Sequence, residues 1–400
     1  MRLPTTARPL LVVWVLLSAL MAGGAVRTGQ EMCGPFGDVS PAFCPYVLEM
    51  YYLGITAGTS PTTFSPEALL TRGQAAVFVS KGVNQAISRS SRRAALGQWW
   101  TPRQSPWDAG LGITPLPALN PFAPVVCDGQ DVWVGGHDSV FRVRGSDGKL
   151  LESWTIAKPA GAVLAAMGRV FVASFDPFHP GAGTLSMIDP AQPPGVATIV
   201  ATELPAQTVA LAFDGTRIWV TDPTGFLSII TPSSTTPWPA TVVSGFLSPS
   251  GIVFDGANMW MTSGETSGAC VLLKLDSSAA VLQTVSLGPN CAEQLAFDGS
   301  NVLVPSSSLQ VVRVSDGVLT ATIPLSGAER VAFDGERILV LVSGGQAPPP
   351  SLVTLRASDF STLQVDYSPF TSGPGYSAAS DGVNFWITTG GGTSFVLARY

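Results

Sequence analysis

The sequence predicts an all-β fold, a seven-bladed β-propeller that follows a small α-helical N-terminal module. Three observations predict it. Of 400 residues, 46% are hydrophobic and only 12% are charged, as expected for many short buried strands. The 42 Gly and 33 Pro supply frequent turns. Finally, one short pattern, clearest in "LAFDGTRIWVTD", occurs seven times in the last 300 or so residues.

The repeat is an apolar run, an Asp-Gly pair and a second apolar run that contains one bulky residue. The seven bulky residues are Trp133, Phe171, Trp219, Trp260, Leu303, Leu339 and Trp386. Consecutive members lie 36 to 48 residues apart, a period typical of propeller blades. Six units keep Asp-Gly, which suits a tight hairpin turn, and the second has Met167-Gly168 instead. Each unit is therefore predicted to begin with a β-hairpin.

Further apolar runs follow each hairpin and predict four strands per blade. The last unit stops after its third run, "SFVLARY". The segment "LGITPLPAL" at 111–119 resembles the fourth runs and precedes the first unit. We therefore expect Gly112–Leu116 to pair with Ser394–Tyr400 and close a propeller over residues 111–400, which removes exposed sheet edges. The alternative is an open stack or two smaller domains.

The repeat also resembles a known group of propellers. "FDG…IWVT" with a downstream "V.R.....G" is similar to the bacterial YVTN/NHL-type and virginiamycin B lyase-like repeats. The resemblance implies the fold and leaves the activity open. Lyases of that group use His and Glu near the axis, and neither His of this chain stands in a matching context.

Residues 1–25 are predicted to be a signal peptide. Arg2 and Arg8 precede the apolar run "LLVVWVLLSALM", and "AGGA" follows it. An uncleaved N-terminal anchor is the alternative. An exported chain reaches an oxidising compartment, so Cys33 with Cys44 and Cys270 with Cys291 are predicted disulfide pairs, from proximity in the sequence. Cys127 takes a position where other repeats have Phe, which indicates a small buried hydrophobe.

Residues 33–83 form the predicted helical module. Val47, Met50 and Tyr51 share one face of a first helix, and Thr71 with Gln74 makes a capping box for a second. Between them lies a turn-rich loop with Phe64 as a plug. A second apolar stripe is expected from Ala75, Phe78 and Val79.

This module resembles an S-layer homology domain in "F.DV", "GIT.GTS...F.P" and "TRGQ.AVF", over about 48 residues. The resemblance implies docking onto cell-wall polysaccharide, and by position it points to Asp38 and Arg72. The alternative is structural: Asp38 caps the first helix and Arg72 pairs with it. Anchoring members of the family usually carry three copies, whereas one is visible here, and one copy binds weakly unless chains cluster.

Residues 84–110 are predicted to be a linker. Arg89, Arg92 and Arg93 form a small basic cluster, and Trp99-Trp100 follow. Contact with anionic glycan or lipid headgroups is one interpretation. A solvated helix whose Trp pair docks on the next domain is the other.

The long loops between second and third strands suggest a site on one rim of the propeller. They carry His137 with Asp138 and, in the next blade, Asp176 with His179. Two imidazoles and two carboxylates can hold a metal or exchange protons. The alternative is that these are ordinary exposed loop residues.

These patterns predict an exported, cell-envelope-associated bacterial protein whose propeller binds a protein or small molecule. Its module would attach to cell-wall polysaccharide or another envelope glycan, with self-association as a further role. The net charge of −6 gives no basic face for nucleic acid, and no cofactor is expected. The alternatives are a secreted lyase or hydrolase acting on glycan or a cyclic peptide, and a structural subunit.

Overall fold

The structure is a computed structural model that describes most of the chain from residue 35 onward. The described residues are 35–40, 43–52, 55–71, 73–82, 113–117, 119, 123–174, 176, 178–179, 181–205, 207–290, 293–343, 350–367, 377–391 and 394–400. The predicted signal peptide and the predicted linker lie outside them, as do Cys33, Arg72 and Cys291. The chain divides into two compact units between Arg89 and Ser90.

The second unit contains seven antiparallel four-stranded sheets, so the predicted seven-bladed propeller is confirmed. Blade 1 holds β2 (Val125–Cys127), β3 (Asp131–Gly135), β4 (Ser139–Arg144) and β5 (Leu150–Thr155). Blade 2 holds β6 (Ala160–Ala166), β7 (Arg169–Ser174), β8 (Gly183–Ile188) and β9 (Thr198–Leu204). Blade 3 holds β10 (Ala210–Phe213), β11 (Ile218–Asp222), β12 (Phe226–Ile230) and β13 (Ala240–Ser244). Blade 4 holds β14 (Ile252–Phe254), β15 (Met259–Gly264), β16 (Ala269–Leu275) and β17 (Val281–Pro289).

The remaining blades complete the ring. Blade 5 holds β18 (Ala296–Phe297), β19 (Asn301–Pro305), β20 (Leu309–Arg313) and β21 (Val318–Ile323). Blade 6 holds β22 (Ala328–Phe333), β23 (Arg337–Val342), β24 (Ser351–Arg356) and β25 (Thr362–Tyr367). Blade 7 holds β26 (Ser377–Ser380), β27 (Phe385–Gly391), β28 (Ser394–Arg399) and, from the start of the unit, β1 (Ile113–Pro115).

The ring closes as the sequence predicts. β1 pairs antiparallel with β28, and Ile113 is opposite Ala398 while Pro115 is opposite Val396. The Thr114 hydroxyl donates a hydrogen bond of 2.7 Å to the Gly148 carbonyl of blade 1. The outer edge of the last blade is thus filled by the segment that leads into the first.

The core lies between the blades. Each of seven apolar clusters joins one blade to the next all the way round the ring. Alternation along β11 shows how one strand serves two interfaces: Ile218 and Val220 pack toward blade 2, whereas Trp219 packs toward blade 4. All three side chains are buried. Strands apolar on both faces are therefore explained by face-to-face blade packing.

The N-terminal unit is built around one small cluster. α1 (Cys44–Tyr52) contributes Val47, which is buried with Phe36 and Val39. Phe64 packs against this cluster, with its ring centroid 5.8 Å from that of Phe36. Aromatic contacts therefore hold the interhelical loop against the α1 side of the module, and the predicted position of Phe64 between both helices stays a prediction.

A second helix, α2, covers residues 73–82. The predicted capping box is confirmed, since the Gln74 backbone N–H donates to Thr71 Oγ1 at 3.2 Å and the Thr71 backbone N–H donates to Gln74 Oε1 at 3.0 Å. Of the predicted apolar stripe, Ala75 and Phe78 are half-buried and Val79 is exposed. None of the helices in the described part of the chain is both long enough and apolar enough to span a bilayer.

Cys44 and Cys270 are each disulfide-bonded. Their predicted partners lie outside the described residues, so the two pairings stay predictions. Cys127, the last residue of β2, is a half-buried free thiol. Burial raises the pKa of the Cys127 thiol to about 11, which fits an unreactive side chain.

Candidate functional site

The first strands of six blades line an axial channel, and blade 5 contributes residues 293–295 just before its first strand. In every sheet the first strand pairs with the second strand and, among the described strands, has no partner on its other edge, so its inner edge presents backbone N–H and C=O groups. The side chains beside these edges are mostly small and apolar, among them Val126, Val163, Ala210 and Ala379. The cavity has a volume of about 480 Å³, which is in the usual range for small-molecule sites.

Polar side chains gather at one place in the channel wall. An Arg330 Nη2 group donates to Glu293 Oε2, and Arg330 Nη1 donates to the backbone carbonyl of Glu329 at 3.1 Å. Glu293 comes from the loop that enters blade 5, and Arg330 comes from β22. The Arg330 side chain is 17% exposed and that of Glu293 is 49% exposed. The guanidinium is thus held inside the wall while the carboxylate faces solvent.

Gln294 reaches past blade 6 to the inner edge of blade 7. Its side-chain amide donates to the Ala378 carbonyl through Nε2. The Ala378 N–H in turn donates to Gln294 Oε1 at 3.2 Å. One side-chain amide therefore satisfies both groups of a strand edge, as a peptide of a neighbouring strand would.

A second, polar cavity of about 350 Å³ shares Glu293 and Arg330 with the channel. Hydroxyl and amide groups line it, including Ser306 and Asn290. Asn290 Nδ2 donates to Ser307 Oγ at 2.7 Å, and Ser306 Oγ donates to the Asn290 carbonyl at 2.7 Å. The ion pair thus stands between a channel with apolar side chains and a hydroxyl-lined cavity.

The four rim residues predicted from the sequence fall into two separate contacts. Asp176 accepts from His179 Nδ1 at 2.9 Å and from Lys158 Nζ at 3.2 Å. Asp138 accepts from the neighbouring Ser139 hydroxyl at 2.9 Å, and His137 is exposed. Among the residues that the structure describes, no three His, Cys, Asp or Glu side chains come together in a way that could hold a metal ion.

The hydrogen bond from His179, followed by that from Lys158, lowers the pKa of the Asp176 carboxyl. Asp176 is therefore an anion that already has two donors, one of them a fixed cation. A bound metal cation would have to compete with the Lys158 ammonium for the same carboxylate. These contacts indicate that Asp176 and His179 form a pair that stabilises the loop.

The sequence patterns that predict the blades do not single out Glu293, Gln294 or Arg330. A signal was present, since Arg330 is a charged residue inside "AERVAF", where other first strands have "ALAF" or "IVF". Similarly, "EQ" stands directly before the apolar run of blade 5. A charged residue at a position that is apolar in the other repeats indicates a side chain that faces the channel. The hydrogen bonds of Gln294 to blade 7, two blades beyond its own, cannot be predicted from the sequence of a single repeat.

In the N-terminal unit, Asp38 organises the loop that precedes α2. Its Oδ1 accepts from Phe64 N at 2.8 Å and its Oδ2 accepts from Ser65 N at 2.7 Å. These two backbone donors, Phe64 first, lower the pKa of the Asp38 carboxyl. Asp38 is exposed, so its remaining lone pairs face solvent. Arg72, the other predicted glycan contact, lies outside the described residues.

Residues 35–76 match the S-layer homology domain family, so the chain carries such a domain ahead of its propeller. This domain indicates a protein attached to the bacterial cell surface or envelope. None of the curated proteins matches the chain.

Among solved structures, two chains of low sequence identity resemble this chain in fold. A chain in the crystal structure of the mitotic checkpoint complex is 11% identical with a TM-score of 0.58, covering 75% of this chain and 96% of that one. Hydrazine synthase from Kuenenia stuttgartiensis is 12% identical with a TM-score of 0.57, covering 72% of this chain and 97% of that one. At 11% and 12% identity these likenesses show the fold alone, which by itself does not define an activity.

Proposed function

We propose that this is an exported envelope protein that attaches to cell-wall glycan through its S-layer homology domain and presents the propeller as a ligand-binding module. The match over residues 35–76 is the observation that carries the attachment. The channel supports the binding role, because it combines enclosed volume with a few polar groups at one place. The N-terminal apolar segment at residues 10–21 supports export.

The repeat's similarity to YVTN/NHL-type and virginiamycin B lyase-like propellers supports a binding role of the same general kind. We do not carry over a lyase activity, because the described channel wall brings together a Glu–Arg ion pair and a Gln without a His. Cell-wall polysaccharide remains the proposed partner of the module.

Sedimentation of the secreted full-length chain with purified cell-wall sacculi tests the attachment. We expect the wild type to pellet at low salt and Arg72→Ala to remain largely in the supernatant. Arg144→Ala is the matched control, since Arg144 is an exposed propeller residue paired with Asp147. Equal pelleting of all three chains, or none of the wild type, would contradict attachment through this domain.

Asp38 needs a variant that separates charge from loop structure. Asp38→Asn keeps a carbonyl oxygen for one of the two backbone donors and removes the negative charge. If Asp38 contacts the glycan as an anion, Asp38→Asn loses pelleting while its helical circular dichroism is unchanged. Loss of pelleting together with helical signal would instead assign Asp38 a structural role in the loop.

A further inference from the structure

The inner edges of the first strands carry backbone groups that can form hydrogen bonds with an amide. The chain itself makes such a pairing once, through a side-chain amide. Gln294 bonds both the N–H and the C=O of Ala378 on the inner edge of β26. First strands of other blades, such as β6 and β10, present the same kind of inner edge to the same cavity. A ligand with an amide group could therefore pair with these strand edges in the geometry that the Gln294 side-chain amide uses on blade 7.

The charge at the channel wall favours a cation over an anion. Arg330 is engaged by Glu293 and by the Glu329 carbonyl, and its side chain is largely enclosed. Glu293 uses Oε2 for Arg330, and its side chain is half-exposed. Glu293 and Arg330 balance in charge among the residues that line the channel, and of the two only the Glu293 carboxylate is half-exposed to a ligand.

We propose that the channel binds a short peptide-like molecule with a free primary ammonium, which pairs with Glu293 while the ligand's amides bond to inner strand edges. The small apolar side chains between the edges leave room for the ligand's own side chains. A carboxylate ligand would first have to displace Glu293 from Arg330. This inference rests on the proposed function of the propeller as a ligand-binding module.

The test is isothermal titration calorimetry of the full-length protein with four matched probes. They are L-alanyl-L-phenylalaninamide, its neutral N-acetyl form, the anionic N-acetyl-L-alanyl-L-phenylalanine, and the cationic analogue whose central amide is an ester. We expect the cationic amide to bind at least about tenfold tighter than the neutral or anionic probe, since one well-placed charge-assisted hydrogen bond supplies that much. The ester should bind more weakly because it lacks the amide N–H.

Two variants assign the preference to the channel wall. Glu293→Gln keeps a hydrogen-bond acceptor and should remove the affinity advantage of the cationic probe over the neutral probe. Glu336→Gln is the control, because Glu336 lies in the turn after β22, at the other end of that strand from Arg330, and should behave as the wild type.

Tightest binding by the anionic probe would overturn the inference while leaving a ligand-binding channel intact. A cation preference that survives Glu293→Gln would likewise overturn the assignment to this site. No binding by any of the four probes would reject a peptide-like ligand. Attachment to the envelope is judged separately by sedimentation with sacculi, so failure of this inference does not count against attachment.

Discussion

At the scale of single residues, the Asp of each Asp-Gly pair does more than start a turn. In all six blades that keep it, Oδ1 accepts the backbone N–H three residues later, at 2.6 to 2.8 Å. In four of them Oδ2 accepts the indole N–H of the Trp five residues later. The four pairs are Asp128–Trp133, Asp214–Trp219, Asp255–Trp260 and Asp381–Trp386. A buried indole needs such an acceptor.

Blades 5 and 6 have Leu where blades 1, 3, 4 and 7 have Trp, and a different donor replaces the indole. Asn301 Nδ2 donates to Asp298 Oδ2 at 2.9 Å. Arg337 Nε donates to Asp334 Oδ2 at 2.7 Å. In blade 2, Met167 and Gly168 both have positive φ, and this two-residue turn works without the carboxylate. The Asp is therefore present in those blades in which the side chain three or five residues later needs a hydrogen-bond acceptor.

Asp214 makes the protein's stability depend on pH in acid. Burial raises the pKa of its carboxyl, but hydrogen bonds from Trp219, Thr216 and the Arg217 backbone together lower it to about 2. The pKa is below that of the unfolded chain, so the stabilisation is complete above about pH 4 and is lost as the pH falls toward 2. Asp214→Asn should remove about 1 kcal/mol of this pH-dependent stability after allowance for solvent screening.

Thermal unfolding followed between pH 2 and pH 6 measures this effect. The difference in Tm between wild type and Asp214→Asn should be greatest near pH 5 and shrink toward pH 2. Asp138→Asn, at an exposed loop carboxylate, is the control. A Tm difference that stays constant over this range would mean that ionisation of Asp214 does not stabilise the fold.

At the scale of elements, two loops cover the outer edges of blades. The connection after β12 places Trp238 against Phe171 of blade 2, with ring centroids 5.9 Å apart, and Trp238 N donates to the Val200 carbonyl. The connection after β8 adds Val196 beside Thr155 of blade 1 as a parallel bridge. Each loop reaches back to the preceding blade and shields a fourth strand that would otherwise be an open edge.

The substitution Trp238→Ala tests whether the loop after β12 stabilises the outer edge of blade 2. Trp238 is 9% exposed within the cluster between blades 2 and 3, so its truncation should cost about 3 kcal/mol. We expect faster amide hydrogen exchange at residue 238 and in β9, because the loop that donates the 238 backbone N–H to the Val200 carbonyl loses its side-chain anchor, with blades 5 and 6 unchanged. Uniformly faster exchange in all blades would instead indicate that the ring unfolds as one unit.

The sequence was sufficient for elements that depend on local pattern. The Asp-Gly turns, the two-sided apolar strands and the Thr71–Gln74 box each follow from residues within a few positions of one another. Contacts made across the ring were not predictable in this way. Gln294 with Ala378 is 84 residues apart in sequence, and nothing in either local pattern specifies the other.

At the scale of the whole molecule, the closed ring depends on three residues at the start of the second unit. Without β1, blade 7 would have three strands and β28 would be an open edge. Leu116 extends the join, because it is buried with Trp386 and Leu397 in the cluster between blades 7 and 1. Unfolding of any blade therefore exposes two interfaces, which favours a cooperative transition.

The register of this closure can be tested by a disulfide. Thr114 and Leu397 are directly opposite each other in the antiparallel pair, at a separation that suits a disulfide. In a Cys127→Ala background, Thr114→Cys with Leu397→Cys should oxidise spontaneously and raise the Tm, because it closes a loop of 283 residues, 397 minus 114. Thr114→Cys with Val396→Cys places the thiols on opposite faces of the sheet and should stay reduced. Bond formation in the second pair rather than the first, followed by mass spectrometry after thiol alkylation, would show that β1 pairs one residue out of this register or does not close the ring.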